Sequence, residues 1–227
     1  MASYHQLKTA ALYSHPEHSI ASSLLAECEY PWEALGKLSD FILEMGKSLS
    51  PDEFDHPEET IWIAKTATVA RSAEIHGPCI ICDKAEIRHC AFIRGSVIVG
   101  AGSVVGNSTE LKNSLLFDGV QVPHYNYVGD SILGYKSHMG AGSITSNVKS
   151  DKSLVTIAIG GERIATARKK VGAILGDFVE IGCNSVLNPG TVIGSHSNVY
   201  PLSSVRGYVP ADSIYKSSNT IVSKRKD

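Results

Sequence analysis

The chain has 227 residues, a formal net charge of −2 and 19% charged residues, a size that suits one main domain with an appended segment. This balance provides no overall field for nucleic acid or an anionic membrane, so neither is expected as a partner. Because no apolar stretch is long enough to span a bilayer and no secretion signal opens the chain, the sequence favours a cytoplasmic protein.

The five cysteines form an odd, scattered set, which indicates reduced thiols rather than a disulfide framework. Cys79 and Cys82 make a single C-x-x-C pair. One such pair is weak support for a metal site, so packing in the core is the preferred interpretation. Zinc or redox chemistry is the alternative, and no metal site is predicted.

Residues 1–55 are predicted to be an N-terminal helical extension. Apolar residues recur there at spacings of three to four, at Trp32, Leu35, Leu38, Ile42, Met45 and Leu49. With Pro31 near the start, this pattern predicts one amphipathic helix over residues 31–49. We expect the helix to pack on or cap the first coil of the following domain, with docking of a partner protein as the alternative.

Residues 56–212 carry a six-residue repeat. Nine aliphatic residues follow one another at that spacing: Ile63, Val69, Ile75, Ile81, Ile87, Ile93, Val99, Val105 and Leu111. Small residues such as Ala67, Ala73 and Ala85 lie two positions earlier. A period of six fits neither an amphipathic helix nor simple strand alternation. It predicts a mainly β protein, a left-handed parallel β-helix in which three hexads complete each coil.

The repeat slips by one residue at Leu116, Val122 and Val128, and it changes again before Leu133 and Met139. Residues 150–174 lose the period, and the polar, basic stretch within them predicts a loop that leaves the solenoid. The period resumes at Leu175, and residues 213–227 are predicted to be a C-terminal tail. Because excursions from a regular scaffold often carry function, we expect the site between residues 94 and 147.

Three segments in that region carry a family resemblance: GNSTELK at 106–112, VPHYNYVGD at 122–130 and GAGSITSN at 140–147. Their sequences and gapless spacing resemble the acetyltransferase domain of the bifunctional bacterial UDP-N-acetylglucosamine pyrophosphorylases. The segment 161–170 is similar instead to archaeal-type sugar-1-phosphate nucleotidyltransferases. The resemblance implies a trimeric β-helix that transfers an acetyl group from acetyl-CoA to glucosamine 1-phosphate. The first 50 residues hold no Gly-rich nucleotide loop, so pyrophosphorylase activity is not expected, and a separate nucleotidyltransferase is a candidate partner.

The same resemblance implies a role for each of six residues. His124 corresponds to the general base, a task that suits imidazole because it titrates near neutral pH. Arg94 and Lys112 correspond to residues that hold the sugar phosphate. The remaining positions are Tyr127 and Asn147, which correspond to sugar contacts, and Ala141, which corresponds to a position lining acetyl-CoA.

The chain departs from the bacterial pattern at several positions. Position 138 is His where that family has Asn, and Cys183, Tyr200 and Pro201 replace small residues in the acetyl-CoA half. These departures keep open a second hypothesis, a non-catalytic β-helix that binds a sugar phosphate or nucleotide sugar. A third, a γ-class carbonic anhydrase, needs three histidines around zinc, and His76 and His89 are poorly spaced from His124 for that purpose.

Overall fold

A computed structural model describes residues 4–217 and 220–225. A helical N-terminal segment is followed by stacked coils of short parallel strands, and the predicted left-handed parallel β-helix is confirmed. Within those residues, no helix combines the length and apolar character needed to cross a bilayer.

The helical segment comprises three α-helices and three 3₁₀ turns. The helices are α1 (Thr9–Leu12), α2 (Ser22–Ala26) and α3 (Leu38–Ser48), and the turns are His5–Leu7, Pro16–His18 and Pro31–Gly36. The single helix predicted over 31–49 is therefore a 3₁₀ turn and a separate α-helix. The break falls at Gly36, a weak helix former whose backbone packs so closely on Arg168 that an added Cβ would lie 2.4 Å from Nη1.

The coils stack into three faces, each a ladder of parallel strands. Face 1 contains β2 (Ile61–Ala64), β5 (Cys79–Ile81), β8 (Val97–Val99), the second halves of β10 (Glu110–Leu116) and β12 (Tyr127–Leu133), β17 (Ala173–Leu175), β20 (Thr191–Ile193) and β23 (Tyr208–Val209). Face 2 contains β3 (Thr68–Val69), β6 (Glu86–Ile87), β9 (Val104–Asn107), β11 (Gln121–His124), β13 (His138–Met139), β18 (Glu180–Ile181), β21 (Asn198–Val199) and β24 (Ser213–Ser217). Face 3 contains β4 (Glu74–His76), β7 (Phe92–Arg94), the first halves of β10 and β12, β14 (Ile144–Thr145), β19 (Val186–Leu187) and β22 (Ser204–Val205). An additional strand, β1 (Phe54–Glu58), pairs antiparallel with β2.

Face 1 is buried on both sides. The aliphatic residues that repeat every six positions predict burial of its inner side only. Its outward-pointing row is apolar and fully buried, comprising Ile80, Ile98, Leu115, Ile132, Ile174 and Val192. Helix α3 contacts β5, β8 and β10, and the 3₁₀ turn before it contacts β12. Gly46 of α3 also lies against Trp62 of β2, so the helix packs on the first coil as expected, but it continues along face 1 over later coils instead of capping the solenoid. The inner residues of the first coil, Ile63, Val69 and Ile75, remain only partly buried.

Two segments differ from their predicted structure. The excursion at 150–174 contains a β-hairpin, β15 (Thr156–Ile159) with β16 (Glu162–Ala165), joined through Gly160 and Gly161 at positive φ. The predicted C-terminal tail instead contains β24, parallel to β21, and β25 (Thr220–Ser223), antiparallel to β24. Residues 218–219 and 226–227 of that tail lie outside the described residues.

Both cysteines of the C-x-x-C pair lie in the core, as the packing interpretation predicts. Burial raises the pKa of Cys82 to about 12 and raises the pKa of Cys79 still further. Both side chains pack in the apolar core, an environment in which a free cysteine behaves as a small apolar residue.

Candidate functional site

The register slip in the sequence comes from a shortened corner between faces 3 and 1. In the coil that contains β7, this corner has two residues, Gly95 and Ser96; one coil later it has Asn113 alone. Paired residues on face 3 are accordingly 18 positions apart before this corner (Phe92 with Glu110) and 17 apart after it (Glu110 with Tyr127). Asp130 shortens the next coil in the same way. Both residues adopt a φ of 47°, which Asn and Asp tolerate better than most side chains.

The shortened corners stack three polar side chains into a ladder. Asp130 is buried, and its Oδ1 accepts a hydrogen bond from Asn113 Nδ2 at 2.8 Å while its Oδ2 accepts one from Asn147 Nδ2 at 2.6 Å. Lys112 Nζ lies 3.7 Å from the same Oδ2. Asp130 therefore holds two of the predicted substrate contacts, Lys112 and Asn147, in one place.

Tyr127 joins this ladder from face 3. Its hydroxyl accepts a hydrogen bond from Asn147 Nδ2 at 3.3 Å. Gly129 leaves the space for that contact, since a Cβ there would lie 2.5 Å from Tyr127 Oη. Burial raises the pKa of Tyr127, with further contributions from the charges of Glu110 and Asp130. The hydroxyl stays protonated at neutral pH and can donate to a ligand.

Arg94 lies beside Lys112 on the neighbouring coil. Its Nη1 donates to Glu110 Oε1 at 2.6 Å, and that hydrogen bond raises the pKa of the already permanently charged guanidinium. Both cations predicted to hold a phosphate are thus next to a carboxylate. Arg94 is exposed and its guanidinium carries five donors, so it can bind an anion while it remains next to Glu110.

The hairpin excursion leaves and rejoins the solenoid at this corner. The chain departs after Asn147, whose carbonyl accepts a hydrogen bond from Val171 N at 3.1 Å. On its return, Gly172 N donates to Asp130 O at 2.7 Å. The longest interruption of the repeat is therefore anchored to the ladder that holds the predicted sugar contacts.

His124 and Ala141 lie at a different corner, between faces 2 and 3. They are stacked on successive coils, where Gly142 N donates to His124 O at 3.0 Å. The His124 side chain is exposed, and within residues 4–217 and 220–225 it forms no hydrogen bond. Face 3 connects the two corners, and β12 begins three residues after His124. The structure thus groups four predicted residues at one corner and two at the next.

The coils beyond Ala141 continue the second corner with larger side chains. Asn184 N donates to Ala141 O at 2.8 Å, and Leu202 N donates to Cys183 O at 2.9 Å. Cys183 is exposed, and 45% of Tyr200 is exposed. His138 lies apart from both corners, on face 2, where its Nδ1 is 2.8 Å from Glu180 Oε2.

Sequence reasoning missed Asp130 and Asn113. The signal that could have found them is the pair of one-residue slips, together with Asx residues spaced 17 apart at 113, 130 and 147. A repeat that loses one residue per coil must turn one corner with fewer residues, and Asn and Asp are suited to such a turn.

The comparisons with known proteins are consistent with this architecture. The chain matches the family model of the GMPPB C-terminal domain over residues 75–200. It is 35% identical over 138 residues to the bifunctional protein GlmU of Methanococcus maripaludis, covering 60% of this chain and 33% of the relative. It is 34% identical over 111 residues to the bifunctional sugar-1-phosphate nucleotidylyltransferase/acetyltransferase of Sulfurisphaera tokodaii, covering 49% and 28%.

Among solved structures, the polySia-specific acetyltransferase NeuO aligns with a TM-score of 0.45 and 14% identity, covering 74% of this chain and 88% of that one. The chain spans about a third of the length of the two curated relatives. The family model covers more than half of the chain. The protein therefore belongs to the GMPPB C-terminal domain family.

Proposed function

We propose that the chain is an acetyl-CoA-dependent N-acetyltransferase that acts on an amino-sugar 1-phosphate of the glucosamine 1-phosphate type. The observation that carries this proposal is the corner cluster of Arg94, Lys112, Tyr127 and Asn147. Within it, Asp130 contacts Lys112 and Asn147. Two cations for a phosphate and two neutral groups for sugar hydroxyls are the complement that such an acceptor requires. The printed names of the relatives, which combine sugar 1-phosphate and acetyl transfer, support the same substrate class.

In this proposal His124 is the general base. The acceptor amine attacks the thioester carbonyl, a C–N bond forms, and the C–S bond breaks as CoA leaves. The amine proton passes to His124, whose exposed imidazole forms no hydrogen bond in the described part of the chain and is free to accept it. Ala141, stacked on the next coil, is the position beside which the thioester would lie.

We further propose that the working form is a homotrimer. The predicted residues occupy two corners of a convex solenoid, and neither apolar cleft of the N-terminal region includes any of them. A convex surface becomes a pocket when a second copy of the chain packs against it. Light scattering tests this directly, because a monomer at catalytic concentrations would contradict a shared site.

The activity is tested by release of free thiol from acetyl-CoA in the presence of glucosamine 1-phosphate. We expect turnover by the wild type, loss of turnover in His124→Ala, and retention in His89→Ala. His89 is a matched control because it occupies the same corner two coils earlier and bonds to Ser72. No turnover by folded wild type would contradict the proposal.

The second candidate is a β-helix that binds the sugar phosphate or a nucleotide sugar without turnover. Cys183 and Tyr200 favour it, because they continue the His124 corner where a pantetheine arm needs room. Calorimetry distinguishes the two candidates. Binding of glucosamine 1-phosphate with no binding of acetyl-CoA would establish the non-catalytic role.

A further inference from the structure

A second cluster of potential ligands lies in the N-terminal segment, remote in sequence from the corner cluster. The residues His15-Pro16-Glu17-His18 form a 3₁₀ turn in which His18 N donates to His15 O at 3.1 Å. Side chains three residues apart eclipse one another in a 3₁₀ turn, so the two imidazoles lie on one side. Their ring centroids are 6.0 Å apart.

The ligand atoms of this turn converge. One atom from each of His15, Glu17 and His18 lies within 4.8 Å of the other two. His15 Nδ1 and Glu17 Oε1 are 3.4 Å apart. Ligands at about 2.0–2.2 Å from one tetrahedral metal ion are separated by roughly 3.3–3.6 Å, so this pair already has the spacing of two ligands of one ion.

The solenoid holds the turn rigidly at the corner between faces 1 and 2. The buried Asp177 accepts hydrogen bonds from Ser14 N at 2.8 Å and from His15 N at 3.1 Å. Asp118 N donates to His18 O at 3.0 Å. The His18 ring stacks on Tyr135 with centroids 3.9 Å apart and planes 5° from parallel. The imidazoles are therefore oriented before any ion binds, which lowers the entropic cost of binding.

A carboxylate also lies beside one imidazole. Asp118 Oδ2 is 3.5 Å from His18 Nδ1. Histidines that bind zinc typically donate their second ring N–H to such a group, which fixes the tautomer and makes the ligand more basic. This observation is independent of the convergence of the three ligand atoms and points to the same use.

We propose that His15, Glu17 and His18 bind one Zn²⁺ ion, with Asp118 as the outer carboxylate. Two imidazoles and one carboxylate form a donor set that Zn²⁺ accepts, leaving the fourth position to water. The three ligands come from one turn of the N-terminal segment, and Asp118 is the solenoid residue that contacts them. The site uses none of the residues of the proposed acetyltransferase, so its test does not depend on that function.

The test is calorimetric titration of Zn²⁺ into the full chain, purified without a polyhistidine tag and stripped of metal. We expect one Zn²⁺ per chain. His18→Phe keeps a ring to stack on Tyr135 and should abolish saturable binding, as should Glu17→Gln, a change at an exposed side chain. Asp118→Asn should weaken binding by about 10- to 100-fold.

Cys90→Ser is the matched control, because the exposed Cys90 Sγ lies 3.2 Å from His89 Nε2 and is the competing place for a zinc ion. We expect it to leave the affinity unchanged. Thermal unfolding in EDTA shows that each variant is folded. Added Zn²⁺ should raise the melting temperature of the wild type and of Cys90→Ser, raise that of Asp118→Asn less, and leave those of His18→Phe and Glu17→Gln unchanged. Retained binding in His18→Phe, binding lost in Cys90→Ser, or no stoichiometric binding by the wild type would overturn the proposal.

Discussion

The corner between faces 3 and 1 is wide after β7 and short within β10 and β12, and these two arrangements have different roles. The wide form contains Gly95 and Ser96, and it is held by backbone packing. Gly95 has a φ of +87°, and a Cβ there would lie 2.3 Å from Gly77 O. The short form contains one residue, Asn113 or Asp130, whose side chain takes part in the ladder.

This difference shows how a regular scaffold produces a polar site. Removing one residue from a coil replaces a glycine-type corner with one that carries a functional group. Two consecutive short corners place those groups against each other, and the buried Asp130 then fixes Asn147 and Lys112. The wide corner turns the chain after Arg94 by backbone packing, whereas the short corners also supply side chains that orient Lys112 and Asn147.

The largest expected effect is at the wide corner. Gly95→Ala should destabilise the protein by at least about 3 kcal/mol, because a backbone oxygen blocks the added Cβ and the positive φ is strained. Gly102→Ala is the matched control, with a φ of +62° and no atom within 4 Å of the added Cβ. Urea unfolding measures both free energies. Equal losses would show that φ alone matters and that packing on Gly77 does not.

A smaller effect is expected at the short corner. Asp130→Ala removes the shared acceptor of the Asn113 and Asn147 amide groups and places alanine at a φ of 47°, so it should cost at least about 2 kcal/mol in the free energy of unfolding. Asp55→Ala, at an exposed position of β1, should change stability little. A stable Asp130→Ala variant that still binds ligand with wild-type affinity would refute the role of the ladder.

Removing the side chain of Asn113, the first member of the ladder, should reduce the free energy of unfolding by less. Asn113→Gly tolerates the φ of 47°, deletes one hydrogen bond and leaves Asp130 with its bond to Asn147, so we expect a loss of about 1 kcal/mol. The same unfolding experiment measures it. The two ladder changes share a partner, so the double variant should lose less than the sum of the single losses. If the losses of the two single variants add up to the loss of the double variant, the two side chains stabilise the protein independently.

The smallest effect concerns the ionisation of Tyr127. After burial, the charge of Glu110 and then that of Asp130 raise the pKa of its hydroxyl. Glu110→Gln should therefore lower this pKa towards the ordinary value, and Asp130→Asn should lower it less. Titration of ring-labelled tyrosine by NMR measures the pKa, with Tyr127→Phe to assign the signal. An unchanged pKa in both variants would show that burial alone is responsible.

The sequence predicts the solenoid because its inner rows repeat without exception from Ile81 to Leu111, and these residues are fully or almost fully buried. It also predicts the slip, but not its cause, since a hexad count shows a missing residue without showing which corner lost it. The period of six does not predict the covered outer row, represented by Ile80 and Ile98, because it does not show which outward-pointing residues another segment of the chain covers.

The site is only partly predictable for a similar reason. The family resemblance supplied Arg94, Lys112, Tyr127 and Asn147, and the structure brings them together. It did not supply Asp130, whose importance comes from stacking coils 17 residues apart. The polar and basic residues of segment 160–170 predict a loop, whereas the structure has a β-hairpin at 156–165 whose Ile157 and Ile159 are buried.

The most direct test of the account is equilibrium binding of glucosamine 1-phosphate to the wild type and to Lys112→Gln, measured by calorimetry. Both candidate functions require the corner cluster to bind the phosphate, whether or not the protein then transfers an acetyl group. We expect saturable binding by the wild type and an affinity at least about tenfold weaker in the variant, because the variant loses a charged hydrogen bond to the phosphate. Equal affinities, or no binding by the wild type, would contradict the account.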